Sequence, residues 1–270
     1  MRTKVEGQEI DHEARGDEGG RPLVFLHGLT TDRRLSIEAF EPAFEGRSGW
    51  RRIYLDLPGH GASTANLVGA SADGLVACLA ALVREVGGPR PALVAHSYGA
   101  YLALGLARAL DAVDGLFLVN PIVEPDVGRR VVPQQRFAVI EEGLTFTDDE
   151  ERLTFDAEVA VHTRPTLETF RRVIDPAHRA TNRIFVQFVR NQYALSMPWS
   201  GALSGLDRPV SVVCGRDDYW AGYVDALDLL KLAPHCRYTV LPGCGHLLPI
   251  EAGPTLRTLF GAWLDELSRR

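Results

Sequence analysis

Apolar runs too short for helices alternate along this chain with longer stretches of helical periodicity, and that alternation leaves few folds open. "PLVFLHG" is a near-continuous apolar run ending in glycine, the pattern of a strand buried on both faces. "WRRIYLDLPGHG" gives another strand closed by a Pro-Gly turn, and "KVEGQEIDHEARG" reads as an opening hairpin turning at Gly7-Gln8. The stretch from Ala70 to Val86 carries apolar residues at helical spacing and stops before Gly87-Gly88-Pro89. A strand over Ala92–His96, a helix over Tyr98–Leu110 and the strand "GLFLVN" continue the series. Such alternation predicts a mainly parallel sheet covered by helices.

The series breaks at Pro121. Between there and Gly205 the charged stretches "PQQRFAVIEEGL", "DDEERLTFDAEVAVHT", "TLETFRRVI" and "AHRATNRIFVQFVRNQYALS" read as amphipathic helices separated by proline or glycine. Strand character returns at "RPVSVVCG" and "CRYTVLPG", with helices expected over Ala221–Leu232 and Pro254–Ser268. A helical block between two sheet strands implies a core made of residues 1–120 and 206–270, with residues 121–205 inserted as a lid over the sheet's edge.

One polar residue interrupts the apolar sequence at a telling place. In "PALVAHSYGAYLALGLA", Ser97 lies at the junction of a buried strand and a buried helix. Ligands of open α/β sheets gather at the carboxyl ends of the strands, where this serine falls. "Ala95-His96-Ser97-Tyr98-Gly99" matches the G-x-S-x-G turn that presents a nucleophile, with alanine in the first glycine slot. The small residues two before and two after the serine let its tight turn pack. An N-cap serine gives the same local pattern without chemistry. Its company favours chemistry, because a serine attacks only when a base takes its proton and a third group orients that base. "SVVCGRDDYW" places Asp217 and Asp218 at a strand end, and "LPGCGHLLPIE" places His246 in a glycine-lined loop after the last strand. "FLHGL" ends the strand whose following loop would supply a backbone donor to an oxyanion.

Together, His27-Gly28, "DLPGHG" at 56–61, the serine turn, "GRDD" at 215–218 and "GCGH" at 243–246 resemble the α/β-hydrolase superfamily over essentially the whole chain. The resemblance implies an α/β-hydrolase fold: a mostly parallel eight-stranded sheet flanked by helices, with an inserted helical cap. Within the superfamily the chain is similar to the capped meta-cleavage-product hydrolases in "GRDD" and "CGH…E". It departs from them in "HGLTTDRR" and "AHSYGA".

The resemblance implies Ser97 as nucleophile, His246 as general base and Asp218, by family spacing, as the acid that orients it. Asp217 then reads as a loop-stabilising carboxylate, though two adjacent acids leave the choice between them open. The oxyanion donors would be the backbone N–H groups of Leu29 and Tyr98. Trp199, Tyr219 and Trp220 are candidate walls of an apolar pocket, as is the Tyr98 ring. His27 and His60 read as loop-bracing residues, His96 as packing under the sheet, and Asp32 as a helix N-cap. Arg183 and Arg190 are lid arginines able to grip a carboxylate.

Composition closes off other classes. A net charge of −6 with mixed signs argues against a nucleic-acid partner, and no stretch is long and apolar enough to cross a bilayer. The four cysteines form no C-x-x-C pair and the histidines show no metal spacing, so no metal is expected and the thiols read as reduced. No glycine-rich phosphate loop implies a nucleotide cofactor. The expectation is a cytoplasmic serine hydrolase of a small or medium apolar ester, lactone or similar carbonyl compound, without cofactor. Carbon–carbon hydrolysis of a vinylogous diketone, a non-hydrolytic reaction and simple small-molecule binding remain open on the same residues.

Overall fold

The computed structural model describes residues 1–203 and 205–270. In its eight-stranded sheet, β1 (Arg2–Val5), β2 (Gln8–Gly16), β3 (Arg21–Leu26), β4 (Trp50–Leu55), β5 (Ala92–His96), β6 (Gly115–Val119), β9 (Val210–Gly215) and β10 (Cys236–Leu241) follow the order β1-β2-β4-β3-β5-β6-β9-β10. β2 pairs antiparallel with β1 and β4, and every other pairing is parallel.

Alternation along the central strands sends successive side chains to opposite faces. Val24 and Leu26 of β3, with Leu93 and Ala95 of β5, pack against α2 (Ala72–Val86) and α3 (Tyr98–Ala109). Leu23 and Phe25, with Ala92 and Val94, face the other layer, built from α1 (Arg33–Phe40) and the C-terminal helix Gly253–Ser268. Phe117, Phe260 and Trp263 interlock there, Phe117 meeting the Trp263 ring at 5.5 Å.

Between β6 and β9 the chain leaves the sheet. This inserted segment holds the two-residue strands β7 (Val139–Ile140) and β8 (Val161–His162), and the helices α4 (Asp149–Glu158), α5 (Arg164–Thr169), α6 (Asp175–Ala180) and α7 (Arg183–Asn191). A π-helical stretch, Phe170–Ile174, joins α5 to α6. Phe155, Phe170 and Ile174 form a separate apolar cluster with Leu35 of α1 and Leu247. Arg172 adds a two-pronged ion pair to Glu38 of α1, at 2.6 and 2.9 Å.

Three local expectations need correction. The first hairpin turns at Glu6-Gly7, not Gly7-Gln8. Both turn residues have positive φ (47° and 74°), and the register pairs Val5 with Gln8. "PQQRFAVIEEGL" is not helical; its Val139–Ile140 pairs parallel with β8. Of the helix expected over Ala221–Leu232 only α8 (Leu227–Leu232) forms, because the Asp218 carboxylate gathers the Trp220 and Ala221 N–H groups into a turn.

Trp263 is fully buried and donates its indole N–H to the Pro209 carbonyl at 3.2 Å. Trp263→Ala should therefore lower unfolding free energy by about 3–5 kcal/mol. Equilibrium urea denaturation monitored by far-UV circular dichroism measures it.

Candidate active site

Ser97 follows β5 directly and begins α3 with φ at +54° and ψ at −122°, a backbone that side chains rarely adopt. Its own N–H donates to the Val119 carbonyl at 3.0 Å, tying the turn to β6. A Cβ on Gly99 would stand 2.2 Å from the His27 carbonyl oxygen, so the turn and the β3 loop meet only over a glycine.

His246 sits in the loop between β10 and α9 (Leu248–Glu251). Its Nε2 lies 2.9 Å from Ser97 Oγ, and its Nδ1 lies 3.0 and 2.9 Å from the two carboxylate oxygens of Asp218. Asp218 is fully buried and accepts further bonds from the Trp220 N–H (2.8 Å) and the Ala221 N–H (3.0 Å). Asp217, also buried, turns the other way. It accepts the Gly243 N–H at 3.1 Å and pairs with Arg136. Burial alone would depress the His246 imidazole. The Asp218 charge and hydrogen bond, reinforced by the charges of Glu158 and Glu251, outweigh it and raise the pKa above the usual 6.5.

Three other histidines near the site are set to the neutral form by the same two influences in different proportion. His27 donates Nδ1–H to the Gly28 carbonyl and accepts the Leu57 N–H at Nε2, and burial first of all lowers it to about 4. His60 donates to the Pro58 carbonyl, accepts the Thr30 N–H and is lowered by burial, then by His27, to about 3. These two brace the loop after β3. His96 does not pack under the sheet; it lines the cavity, donates Nε2–H to the His246 carbonyl at 2.9 Å and is lowered to about 3, mainly by burial.

Leu29 and Tyr98 follow Gly28 and Ser97 in the chain, and neither backbone N–H meets an acceptor among the described residues. Asp32 caps α1, accepting the Arg34 N–H at 2.9 Å. All four cysteines are free thiols.

Ser97, His246 and Leu29 open onto a cavity of about 370 Å³. Of the aromatic residues expected at its wall, Trp220 is there, 6.5 Å from the His246 ring centre to centre. Trp199 and Tyr219 are not. Trp199 packs against the sheet-side core and donates its indole N–H to the Val123 carbonyl, while the Tyr219 hydroxyl faces Gln135. The Tyr98 ring is buried behind the turn against Tyr193, at 4.1 Å, and it is Tyr193 that reaches the cavity. The wall is also more charged than expected, for Arg130, Glu158 and Arg190 line it, whereas Arg183 lies in a neighbouring cleft. Arg130 uses three of its five N–H groups on the carbonyls of Glu124, Pro125 and Trp220, and neither it nor Arg190 has a carboxylate within 4.0 Å among the described residues.

The model of the alpha/beta hydrolase family matches residues 23–256. The chain belongs to this family. Among solved structures, an alpha/beta superfamily hydrolase from Oenococcus oeni PSU-1 superposes with a TM-score of 0.89 at 26% identity, covering 99% of each chain. A thermophilic esterase from Thermogutta terrifontis superposes with a TM-score of 0.75 at 23% identity, again over 99% of each. A 2-succinyl-6-hydroxy-2,4-cyclohexadiene-1-carboxylate synthase of Salmonella heidelberg (strain SL476) is 48% identical over 58 residues, which is 22% of this chain and 21% of that protein's length. No helix of this alpha/beta hydrolase is long and apolar enough to cross a membrane among the described residues.

Sequence reasoning missed Asn120, which ties three strand ends together, and the cavity residues Arg130 and Glu158. Asn120 stood in the quoted "GLFLVN", where a polar residue ending an apolar strand was the available signal. Arg130 and Glu158 gave none, since charges abound in the inserted segment.

A neutral buried histidine makes folding pH-dependent with a definite sign. The folded pKa of His60 lies below its unfolded value of 6.5, so its contribution to stability is lost as pH falls from 6.5 toward about 3. His60→Gln keeps one acceptor and one donor but cannot titrate. Between pH 6 and 4 the stability of the variant should fall less steeply than that of the parent, by up to about 1.4 kcal/mol per pH unit. Urea unfolding at several pH values checks it.

Proposed function

We propose that this protein is a serine hydrolase that opens a small or medium carbonyl substrate, an ester, lactone or similar compound, through an acyl-enzyme on Ser97. The observation that carries this reading is the unbroken hydrogen-bonded relay from Asp218 through His246 to Ser97 Oγ, which ends in a cavity. His246 Nε2 takes the hydroxyl proton as Oγ attacks the carbonyl carbon. The oxygen that becomes negative faces the uncommitted N–H groups of Leu29 and Tyr98, each worth on the order of 3 kcal/mol to the transition state. Asp218 holds Nδ1–H and stabilises the imidazolium. Collapse of the adduct expels the leaving group, which receives the proton from His246, and a water repeats the sequence to free the acid and restore Ser97.

Residues 121–205 act in this reading as a cap. The cavity draws its lining from both core and insertion, so it suits a compact molecule rather than a polymer. Arg130 and Arg190 favour a substrate with an anionic or strongly accepting end. A second reading, hydrolysis of a carbon–carbon bond beside a ketone, is favoured by Glu158. Burial raises the pKa of this carboxyl at the cavity wall against the opposing charges of His178 and His246, and its protonated fraction would supply a proton to the departing carbon.

In the test of the main reading, a fluorophosphonate labels Ser97 in the parent protein and not in Ser97→Ala. The variant stays folded and loses roughly a thousandfold or more of its kcat on short aryl esters. Near-normal turnover by the variant rules the reading out. Running matched esters and vinylogous diketones, with and without a carboxylate, ranks the two readings.

The base must be neutral to accept the serine proton, and Asp218, Glu158 and Glu251 hold the His246 pKa up against burial. On acidification kcat/KM should therefore fall tenfold per pH unit, through a single ionisation lying above 6.5. A rate profile level from pH 5 to 8 counts against His246 as the base.

A further inference from the structure

Asn120 is the first residue after β6, fully buried, with φ at +44°. Its backbone N–H donates to the Val213 carbonyl on β9 at 2.9 Å. Its side chain uses both ends of the amide. Oδ1 accepts the Gly215 N–H at 2.7 Å, and Nδ2 donates to the Gly245 carbonyl at 2.9 Å and the His246 carbonyl at 2.8 Å. Gly215 lies three residues before Asp218, and Gly245 directly precedes His246. One planar amide thus spans the two loops that carry the acid and the base. These loops press together so closely that a Cβ on Gly215 would stand 2.4 Å from the Cys244 carbonyl oxygen.

We infer that Asn120 is a positioning residue, whose side-chain amide sets the alignment of the His246 imidazole between Asp218 and Ser97. It touches neither substrate nor the reacting atoms. The chemistry at this position requires an amide: the Gly215 N–H needs an acceptor, while the Gly245 and His246 carbonyls need donors, and only a side chain with both meets them. Aspartate has the shape but no donor, and would set an anion against two carbonyl oxygens. Leucine would leave the Gly215 N–H and the Gly245 carbonyl buried without partners. The positive φ further restricts the position to residues such as asparagine and glycine. A second bond on the same carbonyl reinforces the device, because the His246 carbonyl also accepts from His96.

This inference rests on the serine-hydrolase reading for its kinetic consequence but not for its geometric one, and the experiment separates the two. Asn120→Gly keeps the left-handed backbone and removes only the amide, and Asn120→Asp keeps the shape and removes the donors. Thermal melts select an assay temperature at which both are folded. Three quantities are then compared with the parent: the rate of fluorophosphonate labelling of Ser97, kcat and KM on a short aryl ester, and the titration of the His246 ring followed by NMR. The groups facing that ring are Asp218, Glu158, Glu251 and the neutral His96.

The expected result is a loss of at least tenfold in labelling rate and kcat with KM changed less than threefold, and a displaced His246 titration in both variants. In Asn120→Gly the titration moves down, as contact with Asp218 loosens. Folded variants with kcat within twofold of the parent and an unmoved His246 titration would overturn the inference and leave Asn120 as a fold-stabilising residue only. If the parent protein itself is neither labelled nor active, the hydrolase reading fails, and the His246 titration alone then decides on Asn120.

Discussion

The left-handed turn at Ser97 is the constraint around which the rest of the molecule is arranged. A non-glycine residue held at φ +54° costs on the order of 1–3 kcal/mol, so the surroundings must impose it. They do so from three sides. β6 receives the Ser97 N–H through Val119, the first turn of α3 returns the Ala100 N–H to the Ser97 carbonyl at 3.0 Å, and Ile122 donates to that carbonyl from beyond β6. The β3 loop closes over the fourth side, against Gly99. A strand that leaves the sheet and enters a helix through a single residue, Ser97, thereby points that residue's hydroxyl toward the cavity. The free N–H groups at the helix start lie beside it.

Electrostatics then separates four histidines that share one neighbourhood. His27, His60 and His96 are buried with one ring nitrogen donating to a carbonyl, and burial holds them neutral. His246 is somewhat more exposed, and it has the Asp218 carboxylate at 2.9 Å, which reverses the direction of its shift. Identical side chains are thus shifted in opposite directions, chiefly by one carboxylate. Placing that carboxylate matters more than placing any imidazole, which is why Asp218 is itself held by two backbone N–H groups.

The sheet was legible in the sequence because its strands are short, apolar and buried on both faces, so that pattern and environment coincide. The serine turn was legible for a related reason: close packing at Gly99 and Ala95 restricts residue type at fixed spacing. Asp218 followed from the resemblance rather than from the residues, for nothing in "RDD" says which carboxylate turns inward. What stayed hidden depends on contacts between distant segments. Asn120 is an ordinary polar residue until Gly215 and Gly245 are brought beside it. Trp199 and Tyr219 looked like cavity walls because aromatic side chains suit pockets, yet each has a better polar partner elsewhere. The inserted segment misled most, since amphipathic charge patterns do not distinguish a helix from the irregular run that carries Val139–Ile140.

The place where that segment leaves the sheet has a consequence for how such a chain can change. β6 and β9 are adjacent and parallel, Leu116 pairing with Val210 and Val119 with Val213, so the chain between them leaves at the carboxyl end of one strand and crosses back to the amino end of its neighbour. Closing such a loop is an entropic matter that grows only with the logarithm of its length, about 0.6 kcal/mol for each doubling. A lineage could therefore lengthen, shorten or replace the whole segment with little penalty to the sheet, provided that the two strands still find each other. Glu251 shows what would have to be renegotiated: it accepts the Ala160 N–H from the insertion at 3.0 Å and the Gly245 N–H from the loop of His246. An exchanged insertion would thus have to re-make its contact with that carboxylate as well as its packing on Leu35 and its ion pair with Glu38.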